Sequence, residues 1–245
     1  MIQKFIATAL VCLTLSVAAS PPIHGLHNYM KSQYVPDFKD TDVFDKYVQG
    51  SIEGYLTAKE LHHLLNMTVN EFSHVVRRVP VGKTHLNQSI PGFLLAAGLS
   101  EDNWEAEAME RPAILINGGH HGRELSSITQ CLYYMMHMLF DHTEGVSNIE
   151  NILETSAIFI IPIVNVDAYE AMSHHYIITD GEWKEARKNR HAYVSQRECP
   201  VQDVGVDLNR NYGYKWANDD HGSTGKEDVC AGDYRGPEAF SEPET

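Results

Sequence analysis

The chain has 245 residues, 43% hydrophobic and 21% charged, which describes a globular protein with one sizeable core and excludes a disordered one. Its formal net charge of −14 excludes the basic surface that nucleic acid or an anionic membrane requires.

Residues 1–20, MIQKFIATALVCLTLSVAAS, read as a secretory signal: Lys4, an apolar run from Phe5 to Leu15, then small residues up to Ser20. That run is too short to span a bilayer, and no other segment is long and apolar enough to do so. The expected location is therefore secreted or lumenal, whether extracellular, vacuolar or lysosomal. Residues 21–45, with Pro21, Pro22 and Pro36, read as a leader or short pro-segment. In such a compartment Asn66-Met67-Thr68 and Asn87-Gln88-Ser89 are glycosylation acceptors.

Thr57 followed by Glu60 has the pattern of a capping box, and Leu61, Leu64, Leu65, Thr68, Phe72, Val75, Val76 and Val79 continue at helical spacing. The spacing predicts a helix that runs until Pro80 stops it. His62, His63 and His74 on this segment read as solvated or half-buried helix residues. PGFLLAAGL is a short strand-like run, and RPAILINGG is an apolar strand closed by two glycines. LSSITQCLYYMMHMLF is a nearly all-apolar helix expected to be covered on both faces. SAIFIIPIVNVDAYE predicts a further strand from about Ser156 to Val166, with a run apolar enough to be buried on both sides. Strand, helix, strand in this order predicts an α/β fold, three-layer α/β/α with a mixed, largely buried sheet.

The stretch INGGHHGRELSS puts His121 and Glu124 in the turn between a strand end and a helix start near Leu125. Open α/β sheets hold ligands at that edge. A spacing of three lets one imidazole and one carboxylate converge on one cation, and zinc accepts nitrogen with oxygen. His120 is a competing ligand or a residue that fixes the loop by hydrogen bonding. Further on come EARKNR (185–190), GVDLNRNYGYKW (205–216) and CAGDYRGPEAFSEPET (230–245). Taken singly, basic residues in a loop are usually solvated, N-R-N is turn chemistry, and SEPET reads as a helix start capped by Ser241 with Pro243 in its first turn. Cys199 and Cys230 lie in polar loops on either side of GVDLNRN and are the expected disulfide, while Cys131 reads as a buried free thiol. GSTGKE lacks the first glycine and the hydroxyl residue of a phosphate loop, and there is no G-x-S-x-G elbow.

In this order, H-x-x-E, RKNR, GVDLNRN and YRGP with FSEPE resemble the zinc carboxypeptidase family, peptidase family M14, over roughly residues 50–245. The resemblance implies a catalytic domain over 46–245, incomplete at its C-terminus, that binds one zinc ion. His121 and Glu124 match two zinc ligands. Arg187 matches the arginine that polarises the scissile carbonyl. Asn209 and Arg210 match the pair that grips the substrate's terminal carboxylate, where a planar guanidinium offers two parallel hydrogen bonds.

The third ligand, a histidine, and the general-base glutamate are expected beyond Thr245 and are not present in the chain as given. Ala168, where the family often has glycine, is expected to cost local strain. Lys184 stands where some members have arginine. The implied function is a secreted, monomeric metallocarboxypeptidase acting on peptide C-termini. One alternative is an inactive secreted module that binds peptide C-termini; another is an amidohydrolase of the same fold acting on acyl-amino acids.

Overall fold

The structure is a computed structural model that describes residues 50–52, 54–179, 186–219 and 221–245. The signal at 1–20, the leader at 21–45 and Lys184 lie outside the described residues.

Helix α1 spans Ala58–Glu71. It starts where a capping box satisfies its first donors: Glu60 N–H donates to Thr57 Oγ1 at 3.2 Å, and Thr57 N–H to the Glu60 carboxylate at 2.7 Å. Leu61, Leu64, Leu65 and Thr68 form its buried face. The helix ends nine residues before Pro80 rather than at it, because Val76–Lys83 is strand β1. Its apolar residues face a sheet partner, and Pro80, which has no N–H to give, sits where the pairing with the next strand shifts register.

Strand β2 (Ser89–Leu95) pairs antiparallel with β1 and with β4 (Ala157–Ile161), and β4 pairs parallel with β3 (Ala113–Asn117). The sheet is mixed, in the order β1-β2-β4-β3. Between β3 and β4 run α3 (Leu125–Thr143) and α4 (Ser147–Thr155), and α5 (Val166–Ile178) follows β4. A short helix, α2 (Trp104–Met109), precedes β3.

Alternation along β2 and β4 divides the core. Phe93, Leu95, Ile158 and Ile160 pack with Leu61 and Leu65 of α1, Met135 and Leu139 of α3, Leu153 of α4 and Tyr169 of α5. Leu94 and Ala157 point the other way and pack with Ala108 and Trp104 of α2. Helices thus cover both faces of the sheet, and each fully buried large side chain contributes about 1.5–3 kcal/mol. The edge strand β3 is the exception, with Ile114 51% and Leu115 36% exposed.

Two local expectations are corrected. Gln130 and His137 of α3 are exposed, and Tyr133 stacks on His137, so one face of this helix meets water rather than a second layer. Strand β4 ends at Ile161 rather than near Val166, because Pro162 cannot donate to a ladder and Asn165 Oδ1 instead accepts the Ala168 N–H at 3.2 Å to cap α5. Residues 241–245 form a turn in which Ser241 Oγ accepts from Asn211 Nδ2 at 2.9 Å. No described helix is long and apolar enough to cross a membrane.

Candidate active site

The site begins where β3 stops. Gly118 N–H donates to Ile161 O at 3.0 Å, and Val164 and Asn165 return N–H groups to Gly118 O and Gly119 O. The two strand ends are thereby stitched together. A Cβ on Gly118 would stand 2.7 Å from Ser127 O, and Gly119 has φ +62, so this close approach requires both glycines. Gly122 lets the following turn approach α5, where Ala168 is fully buried in helical backbone, so the strain expected of an alanine there is absent.

His121 is 4% exposed. Its Nε2 lies 2.9 Å from Asp207 Oδ1 and its Nδ1 lies 2.8 Å from Glu124 Oε1. Burial alone works against a charged ring, but the hydrogen bonds to Asp207 and Glu124 outweigh it and raise the His121 pKa. The same contact with His121 lowers the Glu124 pKa. Burial would raise Asp207, but the His121 and Arg187 charges and hydrogen bonds hold it below the ordinary carboxylate value.

Arg187 closes the group. Its Nη2 donates to Asp207 Oδ2 at 2.6 Å and its Nε to the same oxygen at 3.1 Å and to Gly232 O at 3.0 Å. Its Nη1 stands 3.4 Å from His121 Nδ1 and 3.5 Å from Glu124 Oε1. Asn165, fully buried, donates through Nδ2 to His120 O at 2.9 Å and Arg187 O at 3.3 Å, tying the two segments together.

Asp207 precedes a 3₁₀ turn over Leu208–Arg210 and accepts the Asn209 N–H at 3.0 Å, so the carboxylate that holds His121 also sets the turn bearing Asn209 and Arg210. Arg210 Nη1 donates to Asn209 O at 3.2 Å, while its Nε is buried with no hydrogen-bond partner among the described residues. His120 turns to Tyr212, whose hydroxyl lies 2.7 Å from Nε2, and burial pushes its pKa down to about 4. Cys199 and Cys230 are joined by a disulfide; Cys131 is free and buried, its thiol pushed up to about 12. Asn66 and Asn87 are exposed.

Residues 61–245 match the family model described as zinc carboxypeptidase. The chain belongs to the zinc carboxypeptidase family. It is 30% identical over 183 residues to a zinc carboxypeptidase of Saccharothrix mutabilis subsp. capreolus, covering 74% of this chain and 37% of that one. It is also 30% identical over 226 residues to inactive metallocarboxypeptidase ecm14 of Talaromyces marneffei, covering 91% of this chain and 34% of that one. The chain thus spans about a third of the length of these relatives. Its fold is similar to that of carboxypeptidase A from Helicoverpa armigera, with a TM-score of 0.59 at 24% identity over 91% of this chain and 53% of that one. Thrombin-activatable fibrinolysis inhibitor is similar too, with a TM-score of 0.62 at 20% identity over 91% of this chain and 53% of that one.

Of the residues expected in the site of this zinc carboxypeptidase-family chain, the structure brings His121, Glu124 and Arg187 into contact. It sets Asn209 and Arg210 one turn from Asp207. Among the described residues no three of His, Cys, Asp or Glu are arranged as a metal-holding group. Sequence reading missed Asp207 and Asn165. The signal for Asp207 was its place inside GVDLNRN, but nothing local says which imidazole, 86 residues away, it will meet.

Proposed function

We propose that the protein is a secreted metallocarboxypeptidase that removes C-terminal residues from peptides, with His121 and Glu124 as ligands of one zinc ion. The observation that carries this reading is the Asp207–His121–Glu124 chain. Asp207 occupies Nε2, so Nδ1 is the nitrogen left facing the Glu124 carboxylate, and a ligand histidine is commonly oriented through its far nitrogen in this way. The donor set, imidazole nitrogen with carboxylate oxygen, suits zinc, which when bound lowers the pKa of water and polarises a carbonyl.

The chain's own residues supply the rest of this reading. The Arg187 guanidinium, held by Asp207 and Gly232, stands beside the pair as a fixed cation for a developing oxyanion. The unpartnered Arg210 Nε and the neighbouring Asn209 suit a terminal carboxylate. The signal-like residues 1–20 and the Cys199–Cys230 disulfide favour an oxidising, secretory compartment.

A second reading, a secreted module that binds peptide C-termini without turnover, is favoured by the relative named an inactive metallocarboxypeptidase. The protein expressed from its full transcript separates the two. Stoichiometric zinc with hydrolysis of a blocked dipeptide supports the enzyme. Binding of the same dipeptide that is lost in Arg210→Ala, without hydrolysis at any zinc concentration, supports the module. Neither binding nor hydrolysis overturns both.

A further inference from the structure

Loop lysines are ordinarily solvated, yet Lys188 is 2% exposed. Its ammonium donates to main-chain carbonyls: Asp203 O at 2.6 Å, Cys230 O at 3.2 Å and Val229 O at 3.3 Å. These contacts use all the N–H donors an ammonium has. Nζ also stands 5.7 Å from the centre of the Tyr234 ring. Burial pulls its pKa down, while Asp203, Asp207, Asp228 and Asp233 act through space to keep the charge. A buried charge is costly unless it is compensated and hydrogen-bonded, and here both conditions hold.

Two of the carbonyls that Lys188 grips, those of Val229 and Cys230, belong to the loop that Arg187 leans on. Val229 and Cys230 lead directly to Gly232, whose carbonyl accepts the Arg187 Nε–H at 3.0 Å. Gln196 Nε2 also donates to Val229 O at 2.8 Å, and the disulfide ties Cys230 to Cys199. Gly232 has no side chain to anchor it, so the place of its carbonyl depends on what fixes the residues before it.

We propose that Lys188 is a positioning residue: its ammonium, caged by the carbonyls of Asp203, Val229 and Cys230, fixes loop 229–232 so that Gly232 O and Asp207 together aim the Arg187 guanidinium at the His121–Glu124 pair. The kinetic consequence rests on the metallocarboxypeptidase reading. The positioning does not, because the Arg187 Nε–H can be observed without turnover.

The test compares the full chain with Lys188→Met, similar in length but without donors, and with Lys188→Arg, which keeps a cation. Arginine is labelled with nitrogen-15, and the Nε–H resonance of residue 187 is assigned by its loss in Arg187→Lys. In K188M with the wild-type circular dichroism spectrum, this proton is expected to exchange at least about tenfold faster, because local opening sets its protection. K188R is expected to recover part of that protection. Where the wild type hydrolyses a blocked dipeptide, kcat of K188M is expected to fall on the order of 10–100-fold with KM nearly unchanged, the signature of a misplaced transition-state contact.

Unchanged exchange at Arg187 in folded K188M overturns the inference. If K188M does not fold, Lys188→Ala is prepared with and without ethylammonium. Protection restored by ethylammonium and not by ethanol supports the cage, and protection that ignores the cation overturns it. A wild type without turnover defeats the enzyme reading alone, since the exchange measurement still decides the role of Lys188.

Discussion

His121 Nε2 lies 2.9 Å from Asp207 Oδ1, and this contact decides which ring nitrogen faces Glu124. Asp207 is fully buried, and its oxygens accept from His121, the Asn209 N–H and Arg187. An asparagine keeps the shape but has one acceptor oxygen, so it cannot serve all of them. On the proposed zinc-ligand role of His121, Asp207→Asn is expected to weaken zinc binding about 10–100-fold, as loss of the group that orients a ligand does. Competition against a chelator of known affinity measures this, and equal affinity in the two proteins would refute the orienting role.

A methyl group at Gly122 would stand 2.8 Å from Ala168 C and 2.9 Å from Ala186 O. Both are main-chain atoms, so neither can swing aside. Gly122→Ala is expected to cost about 1–3 kcal/mol of stability by overpacking. The strain also reaches the site, because Arg123 N–H donates to Ala186 O at 3.1 Å, and Ala186 precedes Arg187. Denaturant midpoints read the stability loss; a variant as stable as the wild type would contradict the close approach.

Thr57→Ala removes the hydroxyl that accepts the Glu60 N–H while leaving the Glu60 carboxylate on the Thr57 N–H. Losing that half of the capping box is expected to cost about 1 kcal/mol, within the usual range for an N-cap. The change should appear as a lower urea midpoint with an unaltered m-value.

Glu244 is 8% exposed, and burial raises its pKa, helped by the neighbouring Glu242 carboxylate and opposed by hydrogen bonds from the His85 N–H and Asn189. For a carboxyl whose folded pKa is raised, the folded state holds the proton longer than the unfolded chain does. Folding therefore loses stability as pH climbs from the unfolded glutamate value, about 4.3, through the raised folded value, and the cost is constant above it. Glu244→Gln carries no such cost and keeps an acceptor oxygen. It is expected to be more stable than the wild type at neutral pH and equally stable below about pH 4. Thermal melts at both pH values check the sign, and a gain confined to acid would reverse the argument.

The elements governed by short-range chemistry were legible in the chain itself. The capping box at Thr57 and Glu60, the glycine-closed strand before His120 and the helix start at Leu125 each follow from a few adjacent residues. Val76–Lys83 was misread because Val76 and Val79 also fit a helical spacing, and only pairing with β2 makes them a strand. In the site, the convergence of His121 and Glu124 is a spacing rule and could be read. The roles of Asp207, Asn165 and Lys188 could not. Each depends on a partner at least 15 residues away, as the Lys188–Asp203 contact illustrates, and Lys188 reads as a solvated base until its carbonyl cage is seen.

Strand β3, which delivers His121 to its place, also forms a rim of the sheet with Ile114 and Leu115 in contact with solvent. An apolar margin of this kind is a template for another strand, and identical chains carry the same margin. Samples of this 245-residue chain therefore call for dilute handling, and a light-scattering signal that grows with concentration would mark chains adding to one another along β3.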